Sequence, residues 1–159
     1  MKYLHNIKGV FVILIVTFIL SSCGNKTVFE EYKEFDNLSW GRFDFLDFEV
    51  PIENVDTEYD IFVAVRHLPE IPYKELKINL TIYLPSDEMR TVDHVFELVD
   101  KEGNKLSKCL GDFCDISFPV RKNFVFSEPG IVKFRIENKF TKTQMPGILE
   151  VGLILKESK

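Results

Sequence analysis

The stretch Lys77 to Leu84 reads KINLTIYL, and its apolar side chains fall on every second residue. Ile78, Leu80, Ile82 and Leu84 share one parity, with Lys77, Asn79, Thr81 and Tyr83 between them. A period of two puts that set on one face of an extended chain, whereas a helix would scatter it around its axis. The same signature recurs from about residue 38 onward. Val92, His94, Phe96 and Leu98 alternate. Val132, Phe134 and Ile136 alternate with Lys133, Arg135 and Glu137. Leu149, Val151, Leu153 and Leu155 form one face of a last run, with Ile148, Gly152 and Ile154 on the other. Tyr59 to Arg66 (YDIFVAVR) is mainly apolar and reads as a central strand. Ile116, Phe118 and Val120, followed by Phe124 and Phe126, make a shorter run in which Pro119 predicts an edge or a bulge. Phe43 and Phe45 lie on one parity and Leu46, Phe48 and Val50 on the other, which predicts a bulge near 45–46.

Turn chemistry separates these runs: VPIEN at 50–54, LPEIP at 68–72, PSD at 85–87, KEGN at 101–104, EPG at 128–130 and MPG at 145–147. Seven or eight short strands with no long amphipathic helix predict an all-β fold. The expected form is an antiparallel β-sandwich, jelly-roll or immunoglobulin-like, over residues 38–159. Ahead of it, Phe29, Tyr32 and Phe35 are spaced as on one face of a short helix or docking segment.

The first 22 residues are of another kind. MKYLHNIK is short and cationic, and Val10 to Leu20 is an apolar run broken only by Thr17. As a helix that run rises about 16 Å, against about 30 Å of hydrocarbon. It is therefore too short to span, and the layout is that of a secretory signal peptide. Leu20-Ser21-Ser22-Cys23 then places two small residues before a cysteine. By likeness to bacterial lipoprotein signals, cleavage falls between Ser22 and Cys23, and the Cys23 thiol carries a diacylglyceryl group. Residues 1–22 are thus the signal peptide, and 23–37 the lipidated tether and linker. Removing the leader takes away Lys2 and Lys8, two of the 20 Lys and Arg, and none of the 25 Asp and Glu, so the net charge moves from −5 to −7. That sign argues against nucleic acid, whose phosphates are bound by clustered cations.

Catalytic signals are sparse. The mature part holds only His67 and His94, and His94 falls on the apolar parity of its strand. No HExxH, GxSxG, Walker or GxGxxG pattern occurs. The carboxylates sit mostly in turns and at strand ends, so no pair stands out as an acid and base, and no cofactor is implied. Cys109 and Cys114 have three readings. They could pair in an oxidising compartment, closing a small loop around Gly111. They could remain thiols. A metal site with Asp112 and Asp115 lacks a nearby histidine and matches no zinc spacing. Trp40, Tyr59, Tyr73 and Tyr83 lie near loops or strand ends. They either cap the core or, with Trp40 and Tyr73 the candidates, stack on sugars, which would make the chain a glycan-binding surface lipoprotein.

The stretch CGNKTVFEEYKEFDNLSWGRFDFLDFEVPIENVDTEYDI, from Cys23, resembles the mature start of the gliding-motility lipoprotein GldH family of Bacteroidota. Later pieces resemble the same family: RHLPEIPYKELKINLTIYLPSDEMRT, LVDKEGNKLSKCLGDFCDISFPVRKNFVFSEPGIVKFRIEN and MPGILEVGLILKESK. The resemblance lies in the order of FDN-x-SW, Arg66 with Pro72 and Tyr73, the Gly111-Asp112 pair, Phe118-Pro119 and Pro146-Gly147. It implies a non-catalytic cell-envelope protein required for gliding motility. It also implies a palmitoyl-type anchor on Cys23, in the outer membrane facing the periplasm. The implied associates are other gliding lipoproteins and type IX secretion components. The cysteine pair at 109 and 114 departs from what the family leads one to expect.

Overall fold

The computed structural model describes residues 26–158. The signal peptide, Ser22 and Cys23 lie outside the described residues. Eleven strands follow one another: β1 Thr27–Glu34, β2 Ser39–Gly41, β3 Leu46–Ile52, β4 Tyr59–His67, β5 Glu75–Tyr83, β6 Met89–Glu97, β7 Lys108–Leu110, β8 Phe113–Phe124, β9 Gly130–Asn138, β10 Gln144–Pro146 and β11 Ile148–Glu157. They form a five-stranded sheet in the order β1-β11-β4-β8-β7 and a four-stranded sheet in the order β3-β9-β5-β6, with β10 and β2 as a separate ribbon. Every pairing is antiparallel.

Alternation decides what fills the space between the sheets. Ile61, Val63, Val65, Val151, Leu153 and Leu155 point inward from the five-stranded sheet. Phe48, Val50, Leu76, Ile78, Leu80, Val132, Phe134 and Ile136 meet them from the other. This is the all-β sandwich that the period-two runs predict. The outer face of the four-stranded sheet is polar and paired. Arg135 grips Asp47 with two hydrogen bonds of 2.7 and 2.8 Å, and Lys133 stands 3.0 Å from the same carboxylate. The Arg135 guanidinium, foremost, holds the Asp47 carboxyl at about 2, below the ordinary carboxylate range.

Three readings change. The segment with Phe29 and Tyr32 is strand β1, not a helix, and Phe35 follows directly after its last residue. Residues 29 and 35 share one parity of a strand and 32 the other, so Phe29 and Phe35 pack against the core while Tyr32 turns outward. The packed body thus begins at Thr27 rather than at residue 38. The parity switch at 45–46 is the start of β3 and not a bulge. Ahead of it the chain turns at Gly41–Asp44, with Asp44 N donating to Gly41 O at 3.1 Å and Gly41 N donating to Asp44 Oδ2 at 2.9 Å. That turn leaves Phe43 73% exposed, so it takes no part in the alternation. Pro119 sits at a register irregularity opposite Phe62, in the part of β8 that β7 leaves uncovered.

Candidate functional site

The outer face of the five-stranded sheet carries an open groove of about 720 Å³. Strand register explains it. Tyr32 lies opposite Gly152, Gly152 opposite Ala64, and Ala64 opposite Ser117. Three small residues in one row across three strands leave a trough where larger neighbours would stand up. The Tyr32 ring closes one end by lying on Gly152. A Cβ at that glycine would come within 2.5 Å of the ring.

The adjacent row supplies charge. Arg66 faces Glu150 on one side and Asp115 on the other. Its Nε and Nη2 donate to the two Asp115 oxygens at 2.8 and 3.2 Å, and Nη1 donates to Glu150 Oε1 at 3.0 Å. These bonds, Asp115 first and Glu150 second, raise the guanidinium above its ordinary value and keep it charged. Tyr32 Oη donates to Glu30 Oε1 at 2.9 Å. Burial first, and that bond second, push the phenol up to about 12, so it stays a neutral donor. Lys108 borders the groove from β7. Such a wall suits a charged and hydrogen-bonding surface of another chain. Ser117 has no histidine beside it in the lining. Among the described residues, no group of three or more His, Cys, Asp and Glu is placed to hold a metal.

The residues singled out from sequence lie elsewhere. Trp40 is fully buried, stacked on Phe35 at 5.8 Å between centroids, with Nε1 donating to Asp44 O at 3.0 Å. A ring with no exposed face cannot stack on a sugar, so its assignment as a binding aromatic is corrected: it caps the core. Tyr73 is half-buried and packs edge-on against Phe140 at 5.1 Å. His67 is buried with Nδ1 2.7 Å from Leu68 O, and His94 stacks on Phe96. Cys109 and Cys114 face each other in the β7–β8 hairpin with Cα atoms 3.9 Å apart, and their sulfurs are bonded. Gly111, at φ +62°, makes the tight turn between them. Reducing a bond that closes so short a loop is expected to cost about 2 kcal/mol or less. Urea midpoints with and without reductant check this, and a larger loss would mean that the hairpin supports the whole sheet.

Of the groove residues, Ala64, Ser117 and Glu150 carry no signal in the sequence, and Tyr32 stands out there only as part of a short helix or docking segment. One signal pointed there: an isolated glycine inside the apolar run LEVGLIL, which marks a close approach in a strand.

The model of the family described as GldH lipoprotein matches residues 27–155. The chain belongs to this family. That span runs from the first residue of β1 nearly to the end of β11, so the match takes in the sandwich and its groove together. Among named relatives, the gliding motility lipoprotein GldH homolog of Christiangramia forsetii is 24% identical over 159 residues, covering 94% of this chain and 96% of that protein. The gliding motility lipoprotein GldH of Flavobacterium johnsoniae is 22% identical over 143 residues, covering 89% and 88%. Among solved structures, a carbohydrate-binding module specific for non-crystalline cellulose superposes with a TM-score of 0.41 at 10% identity, covering 82% of this chain and 80% of that one.

Proposed function

We propose that this GldH-family chain is a lipid-anchored, non-catalytic cell-envelope protein required for gliding motility. It supports assembly or stability of the gliding and type IX secretion machinery. Cys23 carries the anchor, the outer membrane is its site, and the sandwich faces the periplasm. The observation that carries this reading is the family match over nearly the whole sandwich, to relatives named as gliding motility lipoproteins. The groove chemistry agrees with it. Arg66, Asp115, Glu150 and Tyr32 form a fixed polar surface, suited to holding a partner.

The test is deletion of the gene, scored by colony spreading and by the levels of other envelope gliding proteins. Loss of spreading with a fall in those proteins is expected; normal spreading with unchanged levels would refute the reading. Complementation with Arg66→Ala refines it. Arg66 and Asp115 are substantially exposed, with side chains at 40% and 58%. Ion pairs in that setting contribute about 1 kcal/mol or less to folding. The variant is therefore expected to accumulate normally and to restore spreading poorly. Full restoration would remove the groove as the contact surface.

A further inference from the structure

The two sheets part along the side where β6 and β8 are their free edges. β6 ends its sheet, and β7 covers β8 only from Phe113 to Asp115. Midway along this side, Phe96 of β6 stacks on Phe118 of β8 at 4.3 Å and closes the gap. Beyond that stack, toward the end of β8, a cleft of about 420 Å³ stays open. Arg90, His94, Arg121 and Lys122 line it, and no carboxylate among the described residues does. This is a concentration of positive charge in a chain whose acids outnumber its Lys and Arg by 25 to 20.

The charge is only partly neutralised: the Asp60 carboxylate, held foremost by hydrogen bonds from Asn123 and Ser158, also feels the Lys122 ammonium. Glu88 holds the Arg90 Nε at 2.8 Å from the hairpin between β5 and β6. Glu58 is occupied as an acceptor for Asn123. No ion pair among the described residues engages Arg121 or Lys122. His94 Nε2 is buried without a hydrogen-bond partner. Burial, and next the neighbouring Arg121, push its imidazole below the ordinary value, against a weaker pull from Asp93. Like charges held together around a cleft stabilise an anion placed between them.

Register tells where the cleft faces. Thr27 lies opposite Lys156, Lys156 opposite Asp60, and Asp60 Oδ1 accepts from Asn123 N at 3.0 Å. Asn123 is thus three strands from Thr27 in one row, about 14 Å at the usual strand spacing. Four chain steps separate Cys23 from Thr27, a reach of about 14 Å at most. An acyl group on Cys23 therefore brings this end of the sandwich, and the cleft with it, to the headgroup region. Phe124 and Val125 line the cleft among these basic residues, and Val125 is 52% exposed. Apolar side chains beside cations are the composition of a surface that rests on lipid.

We propose that the cleft between β6 and β8 binds the phosphate group of a membrane phospholipid. The inference rests on the lipid-anchor reading of Cys23. Arg121 and Lys122 provide the charge, Arg90 a second guanidinium, and the neutral His94 ring a donor in the tautomer that carries its hydrogen on Nε2. The test uses the mature lipoprotein in uncharged maltoside micelles, titrated with dihexanoyl phosphatidylglycerol and separately with inorganic phosphate, and followed by amide resonances. Saturable shifts confined to residues 89–94 and 121–125 are expected, with the lipid binding more tightly than phosphate. Arg121→Gln and Lys122→Gln are each expected to weaken lipid binding about fivefold, the ratio corresponding to about 1 kcal/mol per cation at an anionic surface. Shifts that are absent, scattered or indifferent to both substitutions would overturn the proposal, as would inorganic phosphate binding as tightly as the lipid. The mass of the same preparation reports the acyl group on Cys23. An acylated chain with a silent cleft fails the cleft alone, and an unacylated chain that still binds the lipid fails the anchor alone.

Discussion

Trp40→Ala is expected to lower the unfolding free energy by about 3–5 kcal/mol, the range for emptying a buried large aromatic site. The indole is fully buried and stacked on Phe35. Its Nε1 donates to the backbone oxygen of Asp44, the residue whose carboxylate caps Gly41 N and so sets the turn leading into β3. Trp40 also lies opposite Met145, which is 1% exposed, in the ribbon of β2 and β10. Removing the ring opens a cavity among these groups and leaves the Asp44 carbonyl without its donor. Domains of this size have a total stability of about 5–15 kcal/mol, so the variant is expected to be partly unfolded at growth temperature. Trp40→Phe keeps most of the packing and forfeits the hydrogen bond, with an expected loss of about 1–2 kcal/mol. Urea denaturation followed by circular dichroism measures both, since Trp40 is the single tryptophan and its fluorescence disappears with it. In the wild type the emission should be blue-shifted and poorly quenched by acrylamide. A quenchable ring, with a loss of under about 1 kcal/mol for alanine, would restore Trp40 as a surface residue.

What was legible in the sequence and what was not divides along a physical line. β5 and β9 are readable because each buries mainly one face, and burial writes itself into the chain as a two-residue period, while β11 is buried on both faces and reads as a continuous apolar run. β1 is hard to read from sequence because Phe29 and Tyr32 within it and Phe35 just after it stand three apart, a spacing that a helix would use on one face and a strand splits over two. β2, β7 and β10 have three residues each, too few to express any period. The groove was illegible for a deeper reason. Its floor depends on Gly152, Ala64 and Ser117 falling in one row, and a row across strands is fixed by register between segments far apart in the chain. Parity tells which face a residue takes, but not which residue of another strand stands beside it. The same holds for Arg66, whose two acidic partners lie 49 and 84 residues away. The basic cleft is illegible in the same way, because Arg90 and Arg121 meet only when two sheet edges are brought together.

Cys23→Ala is expected to abolish lipid attachment outright, the largest effect of any single substitution in the chain. The thiol is the only atom at that position able to form the thioether, and serine or alanine supplies no equivalent nucleophile. Each buried methylene of an acyl chain contributes about 0.8 kcal/mol, and a single chain binds only reversibly. Stability of the anchor therefore comes from having two or three chains, and all are lost when modification fails. Membrane fractionation alone would be a poor readout. An uncleaved leader keeps the apolar run Val10 to Leu20, which could hold the precursor at the inner membrane. Labelled palmitate and mass are the decisive measurements. Wild-type protein should carry the label and begin at Cys23, whereas the variant should be unlabelled and retain residues 1–22. It should also fail to restore spreading to the deletion strain, even though the sandwich from Thr27 onward is untouched. A wild-type chain without label, or a variant trimmed and localised as usual, would show that the position is an ordinary residue after an ordinary leader. The sandwich would then need another route to the envelope, and the basic cleft another ligand.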